Sequence, residues 1–198
     1  MGPGSSRREE EEKKKGSIIT ACVAVIPYNR IVFNAPCVIP ESFLETVCRS
    51  CAYDFPAPLH ANWGCSTHLG DHVYANFNLT LVDDGEIFIG DYTMLGPNVT
   101  LVTTGHPIDP DLRRRVEPAQ FSEPIHIGSN VWIGANVTVL PGVTIGDNSV
   151  IGACSLVTKD IPTDSVAFGS PCWVVRAIND HDRKFYWRDQ RIGDGVRS

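Results

Sequence analysis

From Leu69 onward the sequence repeats every six residues. With position one at Leu69, the register continues through Ala75 and Leu81, slips by two residues, and resumes at Ile89, Leu95 and Leu101. It is lost from Pro107 to Pro124 and returns at Ile127, Ile133, Val139, Ile145, Ile151 and Val157. All of these residues except Ala75 are Val, Ile or Leu. The residue that follows is often glycine: Gly70, Gly90, Gly96, Gly128, Gly134, Gly146 and Gly152.

Six residues are too few for a strand plus a hairpin or a crossover helix, but enough for one short strand and a corner. On this reading the aliphatic residue points inward and the glycine permits the turn. The fifth residue (Val73, Val131, Val137, Val143, Ser149, Ser155) fills the interior behind it. Such a unit cannot bury its faces alone, so units stack, and the repeat predicts an all-β solenoid, a parallel β-helix. Ordinary hairpins turning at sites such as Gly146-Asp147-Asn148 would vary in spacing, whereas here the six-residue lock holds over six consecutive units. A fold with many corners also explains why 17 Gly and 14 Pro in 198 residues exceed the roughly 12% that is ordinary.

The remaining composition mostly excludes. Hydrophobic residues at 42% and charged residues at 20% are those of a soluble globular chain, not a disordered one. A net charge of −6 implies no basic face, so neither nucleic acid nor a membrane is an expected partner. Cysteine numbers seven, an odd count, and four glutamates (Glu9 to Glu12) sit where a secretory signal would be basic. A reduced, cytoplasmic protein follows. Residues 1–16 read as a mobile polar tail. Residues 17–64, with Pro27, Pro36, Pro40, Pro56 and Pro58, suggest only one short helix over 41–51 and otherwise have no assigned fold. Residues 65–168 form the β-helix with a protruding loop at 107–124, and 169–198 a short helix and tail.

Four stretches carry a family resemblance: YANFNLTLVDD (74–84), VTTGHP (102–107), IGSNVWIGANVTVLPGVTIGDNSVIGACSLVTKDIP (127–162) and GSPCWVVRAIND (169–180). Together they resemble the maltose/galactoside O-acetyltransferases, within the hexapeptide-repeat acyltransferases. The resemblance implies a left-handed β-helix with three hexapeptides per coil, hence four coils, assembled as a homotrimer with active sites between subunits. It implies acetyl-CoA as co-substrate, a sugar as acceptor, and no metal. By position, Tyr74, Asn76 and Asp84 match residues that hold the sugar. Trp132, Gly134, Ala135, Ala153, Thr158, Lys159 and Arg176 match or flank the cofactor groove, with the Ala135 backbone N–H facing the oxyanion. Two departures stand out. Residues 17–64 do not match the family's amino-terminal helical segment, which supplies an acidic side chain to the sugar site. Trp173 stands where a basic residue is expected.

His106 is the candidate base. Acetyl transfer to a hydroxyl needs a group that takes the hydroxyl proton as oxygen attacks the thioester carbon, and histidine suits that work near neutral pH. His106 sits where the repeat breaks, beside an excursion too long to be a plain corner. Taken alone, a histidine next to proline is more often incidental; the GHP match to the family is what implies catalysis. Asn76 and Asp84 are, on their own, also ordinary corner residues, and Trp132 also an ordinary packing residue.

Cys48 and Cys51 form a CxxC without a second ligand pair. A zinc lyase on the same solenoid would need three histidines, and His106 with His126 lack a third at a matching point. Two functions remain: direct acetyl transfer to a sugar in a ternary complex, or a non-catalytic trimeric scaffold that binds CoA but has lost its acceptor site.

Overall fold

A computed structural model describes residues 37–38, 59–114, 119–188 and 190–193. The tail at 1–16 and the helix expected over 41–51 lie outside the described residues. A two-residue strand, β1 (Cys37–Val38), comes first.

Short strands then wind into three parallel sheets around one core. The first face contains β2 (Leu59–Ala61), β5 (Leu79–Val82), β8 (Thr100–Val102), β13 (Thr138–Val139) and β16 (Leu156–Val157). The second contains β3 (Thr67–Leu69), β6 (Ile87–Ile89), β11 (Ile125–Ile127) and β14 (Thr144–Ile145), with Ile161 bridging Ile145 above it. The third contains β4 (Tyr74–Ala75), β7 (Met94–Leu95), β12 (Trp132–Ile133), β15 (Val150–Ile151) and β17 (Ser165–Phe168). This is a left-handed parallel β-helix.

Register is strict. Ile133 lies opposite Leu95 below and Ile151 above, and Ile127 lies between Ile89 and Ile145. Each column is therefore made of apolar residues, buried except for the partly buried Leu69 of the first coil. The fifth-position residues Val73, Val99, Val131, Val137 and Val143 are buried too, as the repeat predicts, and Ser149 and Ser155 with them. Each fully buried Val or Ile contributes about 1.5–3 kcal/mol, so the repeat itself supplies the core.

Three expectations need correction. First, there are five coils rather than four: β2 starts a coil below Leu69, and Ile161 with β17 completes one above Val157. Second, the second-position glycines do not make the turns. A Cβ on Gly90 would lie 2.6 Å from the Gly128 carbonyl carbon, and one on Gly134 would lie 2.6 Å from the Ala153 nitrogen. Glycine is required there because the next coil stacks directly on that backbone. The left-handed turn conformation belongs to the fourth residue of the unit, in Asn78, Asn98, Asn130, Asn136 and Asn148, with φ between 55° and 60°. Asparagine tolerates this region better than other non-glycine residues, and its amide also bonds to its neighbour in the next coil: Asn98 Nδ2 donates to Asn136 Oδ1 at 3.1 Å.

Third, the expected C-terminal helix is absent among the described residues. Residues Trp173–Ala177 form β18, antiparallel to β17, followed by a hairpin of β19 (Phe185–Trp187) and β20 (Gln190–Arg191). The run Trp173-Val174-Val175 is aromatic and β-branched, a composition that suits a strand. Gly169, at φ 112°, lets the chain reverse onto β17.

The excursion leaves the solenoid after Thr103. It opens with β9 (Thr104–Gly105), makes one helical turn, α1 (Pro110–Arg113), and returns through β10 (Phe121–Ser122), which pairs antiparallel with β9. Asp109 caps α1 by accepting the Asp111 N–H at 2.8 Å.

Candidate functional site

A groove of about 480 Å³ runs along the third face and its corner with the first. Tyr74, Asn76, Trp132, Gly134, Ala135 and Ala153 all contribute to its walls. The stacking rule explains its shape. Glycine and alanine are the residues that let coils approach at this corner, and the same small side chains leave a channel on the outside. Trp132 is 54% exposed, so it stands out from the sheet and is no part of the core.

Asp84 and His106 lie elsewhere, at the corner between the first and second faces. Spacing separates this corner from the other two. From Ala61 to Leu69 and again from Leu81 to Ile89 the chain takes eight residues. Between Leu101 and Ile127 it takes 26. The two-residue slip seen in the sequence is thus not a random defect, since both lower coils are widened at the same place.

The widened corners fasten to each other. Asp83 is fully buried and accepts backbone N–H groups from Trp63 (2.9 Å), Gly64 (2.8 Å) and Ser66 (3.4 Å). Asp84 is half-buried and accepts from Asn62 Nδ2 at 2.9 Å and from the Trp63 indole N–H at 3.0 Å. In the next coil Thr103 Oγ1 donates to the Val82 carbonyl (2.7 Å) and accepts the Gly85 N–H (2.8 Å). Asn62, Trp63 and Asp83 are not singled out by the sequence, because they precede or interrupt the clean repeat. The shared eight-residue spacing was the available signal.

His106 follows β9 directly. Its Nδ1 lies 3.2 Å from the Ala119 carbonyl oxygen. A carbonyl can only accept, so Nδ1 is the nitrogen that keeps its proton, and Nε2 is the one that exchanges it: in the neutral ring Nε2 carries the lone pair. The excursion is held to its own base by Thr104 Oγ1, which donates to the Phe121 carbonyl at 2.9 Å. The Phe121 ring packs over Gly105, where a Cβ would lie 2.6 Å from its tip. His106 itself is exposed.

Thr158 and Lys159 occupy the same corner in the top coil. Lys159 Nζ lies 5.2 Å from the centroid of the Trp173 ring, a cation–π contact. Arg176 forms two bonds to Asp182, at 2.6 and 2.7 Å. That guanidinium, with the Asn179 N–H, lowers the Asp182 carboxyl to a pKa of about 2, and in return the carboxylate raises Arg176. Among the described residues no cluster of three His, Cys, Asp or Glu could hold a metal ion, and no helix is long and apolar enough to cross a membrane.

A left-handed solenoid of hexapeptides is the fold of the hexapeptide-repeat acyltransferases. The model of the bacterial transferase hexapeptide (six repeats) matches residues 124–159. Galactoside O-acetyltransferase of Escherichia coli (strain K12) is 53% identical over 139 residues, 70% of this chain and 68% of that protein. Among solved structures, a galactoside acetyltransferase in complex with coenzyme A is 40% identical with a TM-score of 0.73, covering 98% of this chain and 94% of the other. A maltose O-acetyltransferase from Clostridium difficile 630 is 34% identical with a TM-score of 0.66, covering 89% and 90%. The chain belongs to the galactoside/maltose O-acetyltransferase family of hexapeptide-repeat acyltransferases.

Proposed function

We propose that the protein transfers an acetyl group from acetyl-CoA to a sugar hydroxyl of the maltose, glucose or galactoside type, with His106 as general base in a ternary complex. The observation that carries this reading is the Nδ1 contact of His106 with the Ala119 carbonyl, which leaves Nε2 to take a proton. In the reaction Nε2 removes the acceptor hydroxyl proton as the oxygen attacks the thioester carbon. The carbon–sulfur bond then breaks, and the imidazolium returns its proton to the departing thiolate. No covalent enzyme intermediate is required. The Ala135 N–H is the assigned oxyanion donor, in a groove whose small residues fit a narrow pantetheine arm.

Oligomerisation is part of the proposal. Within one chain the groove residues and His106 lie at different corners of the solenoid, so a second copy must bring its His106 corner to the groove. A homotrimer supplies three such junctions. Tyr74 and Asn76 would then face an Asp84 and a His106 from a neighbouring subunit. Lys159 and Arg176, at the top of the solenoid, would meet the cofactor phosphates, Arg176 after sharing its guanidinium with Asp182.

The test is thiol release from acetyl-CoA over a panel of maltose, glucose and galactosides. Turnover on at least one sugar, lost in His106→Ala with CoA still bound, is the expected result. Unchanged activity in His106→Ala overturns the mechanism. Tight CoA binding without turnover on any acceptor makes the protein a scaffold.

A further inference from the structure

The two consecutive aspartates at 83 and 84 grip a single turn, residues 62–66, from opposite sides. Asp83 reaches it from the interior through three backbone N–H groups. A fully buried carboxylate is tolerable only with such donors, so Asp83 and the turn are fixed together. Asp84 takes the side chains of the same turn, Asn62 on Oδ2 and the Trp63 indole on Oδ1.

Two consequences follow for Asp84. Its carboxylate plane is set by two donors from the coil below. Each oxygen keeps a further lone pair, so the group can accept from two adjacent hydroxyls at once. Trp63 differs from the polar residues around it. Its only side-chain donor is spent on Asp84, yet the residue remains 50% exposed, so the side-chain surface it offers is apolar ring. A fixed carboxylate beside an apolar ring is complementary to a pyranoside, which carries vicinal hydroxyls on its rim and a patch of C–H groups on its face.

We infer that Trp63 is a positioning and specificity-determining residue of the acceptor site. Its indole N–H orients Asp84, and its ring is the wall against which a pyranoside packs. The inference rests on the reading of Asp84 as a residue that holds the acceptor. Acyclic acceptors, which lack a flat C–H face, gain little from this wall.

The test measures binding and turnover separately. Methyl β-galactopyranoside and methyl α-glucopyranoside are titrated calorimetrically into the full-length protein saturated with CoA. Wild type is compared with Trp63→Phe, which keeps a ring without the donor, and Trp63→Ala, which keeps neither. Trp63→Phe is expected to weaken pyranoside binding about tenfold, as for loss of one hydrogen bond to a charged group. Trp63→Ala is expected to weaken it further, on the order of a hundredfold with the lost ring contact. In turnover the change should appear in the acceptor KM, with kcat and CoA affinity within about twofold for Trp63→Phe, since that variant removes only the one hydrogen bond. Wild-type binding that survives unchanged in both variants overturns this inference alone. Binding lost in step with CoA affinity and thermal stability also overturns it, since Trp63 is then merely structural. A wild-type protein that binds no pyranoside overturns the acceptor class, and this inference with it.

Discussion

Two kinds of corner share this solenoid and obey different rules. At the corners between second and third faces, and between third and first, every coil advances six residues, as from Leu69 to Ala75 to Leu81 and from Ile145 to Ile151 to Val157. At the corner between first and second faces the five advances are 8, 8, 26, 6 and 4 residues, ending with Val157 to Ile161. The uniform corners are interlocked. Asn130 donates to Asn148 and Asn148 to Asp164, both at 3.0 Å, while glycines leave no room for a side chain between coils. An extra residue there would break every contact above and below. At the variable corner the backbone groups are met by individual side chains, Asp83 and Thr103, and length is free to change. Asp84, His106 and Lys159 are all at that corner. The fixed six-residue advance is absent there, and the coils are fastened by individual side chains, so chain can be inserted without disturbing the core.

That contrast can be broken in several ways. His106→Ala should lower kcat by about 10²- to 10⁴-fold with an unchanged melting temperature, measured by thiol release and calorimetry. A change in stability instead would place the residue among the packing positions. Two glycines inserted between Pro141 and Gly142, at the variable corner, should move Tm by no more than about 3 °C. The same insertion between Asp147 and Asn148 should lower Tm by more than about 10 °C, equivalent to several kcal/mol. Equal tolerance at both points would refute the distinction.

A smaller effect tests the uniform corners from the other direction. Cys154 has φ 60° and stands next above Asn136 in the column of Asn78, Asn98 and Asn136. Cys154→Asn should extend that column and raise Tm by about 2–4 °C, or about 1 kcal/mol. The smallest effect lies outside both kinds of corner, in the C-terminal segment. Asp182 has its pKa lowered from 3.8 to about 2, so its contribution to stability is complete above pH 3.8 and lost as pH falls through 2. The Tm difference between wild type and Asp182→Asn should therefore close over that interval, and a gap persisting below pH 2 would assign the effect to packing.

Most of the solenoid was legible in the sequence because its physics is local. A column residue such as Ile133 is selected by the six-residue unit it belongs to, and the same demand recurs in each coil. Gly134 and Asn136 recur together, and periodicity cannot say which one turns and which one stacks, so the repeat places the turn at the glycine although the asparagine makes it. The C-terminal strand β18 is hidden from the sequence for a different reason. It lies outside the repeat and pairs antiparallel, so no period announces it. In the candidate site, His106 was visible as the residue beside the break. The orientation of its ring was not, because that depends on Ala119, thirteen residues away across the excursion.

The sequence by itself determined the parallel solenoid, its buried columns and the position of the break, since all three follow from apolar residues recurring at a fixed short spacing. Only the tertiary structure decided where the irregularities fall relative to one another. Residues 61–69, 81–89 and 101–127 are separate in the chain and unlike in length, yet stacking places them on one corner. There Trp63 meets Asp84 and His106 meets Ala119. A period carries information along the chain, whereas a site is assembled across coils, through contacts that no spacing encodes.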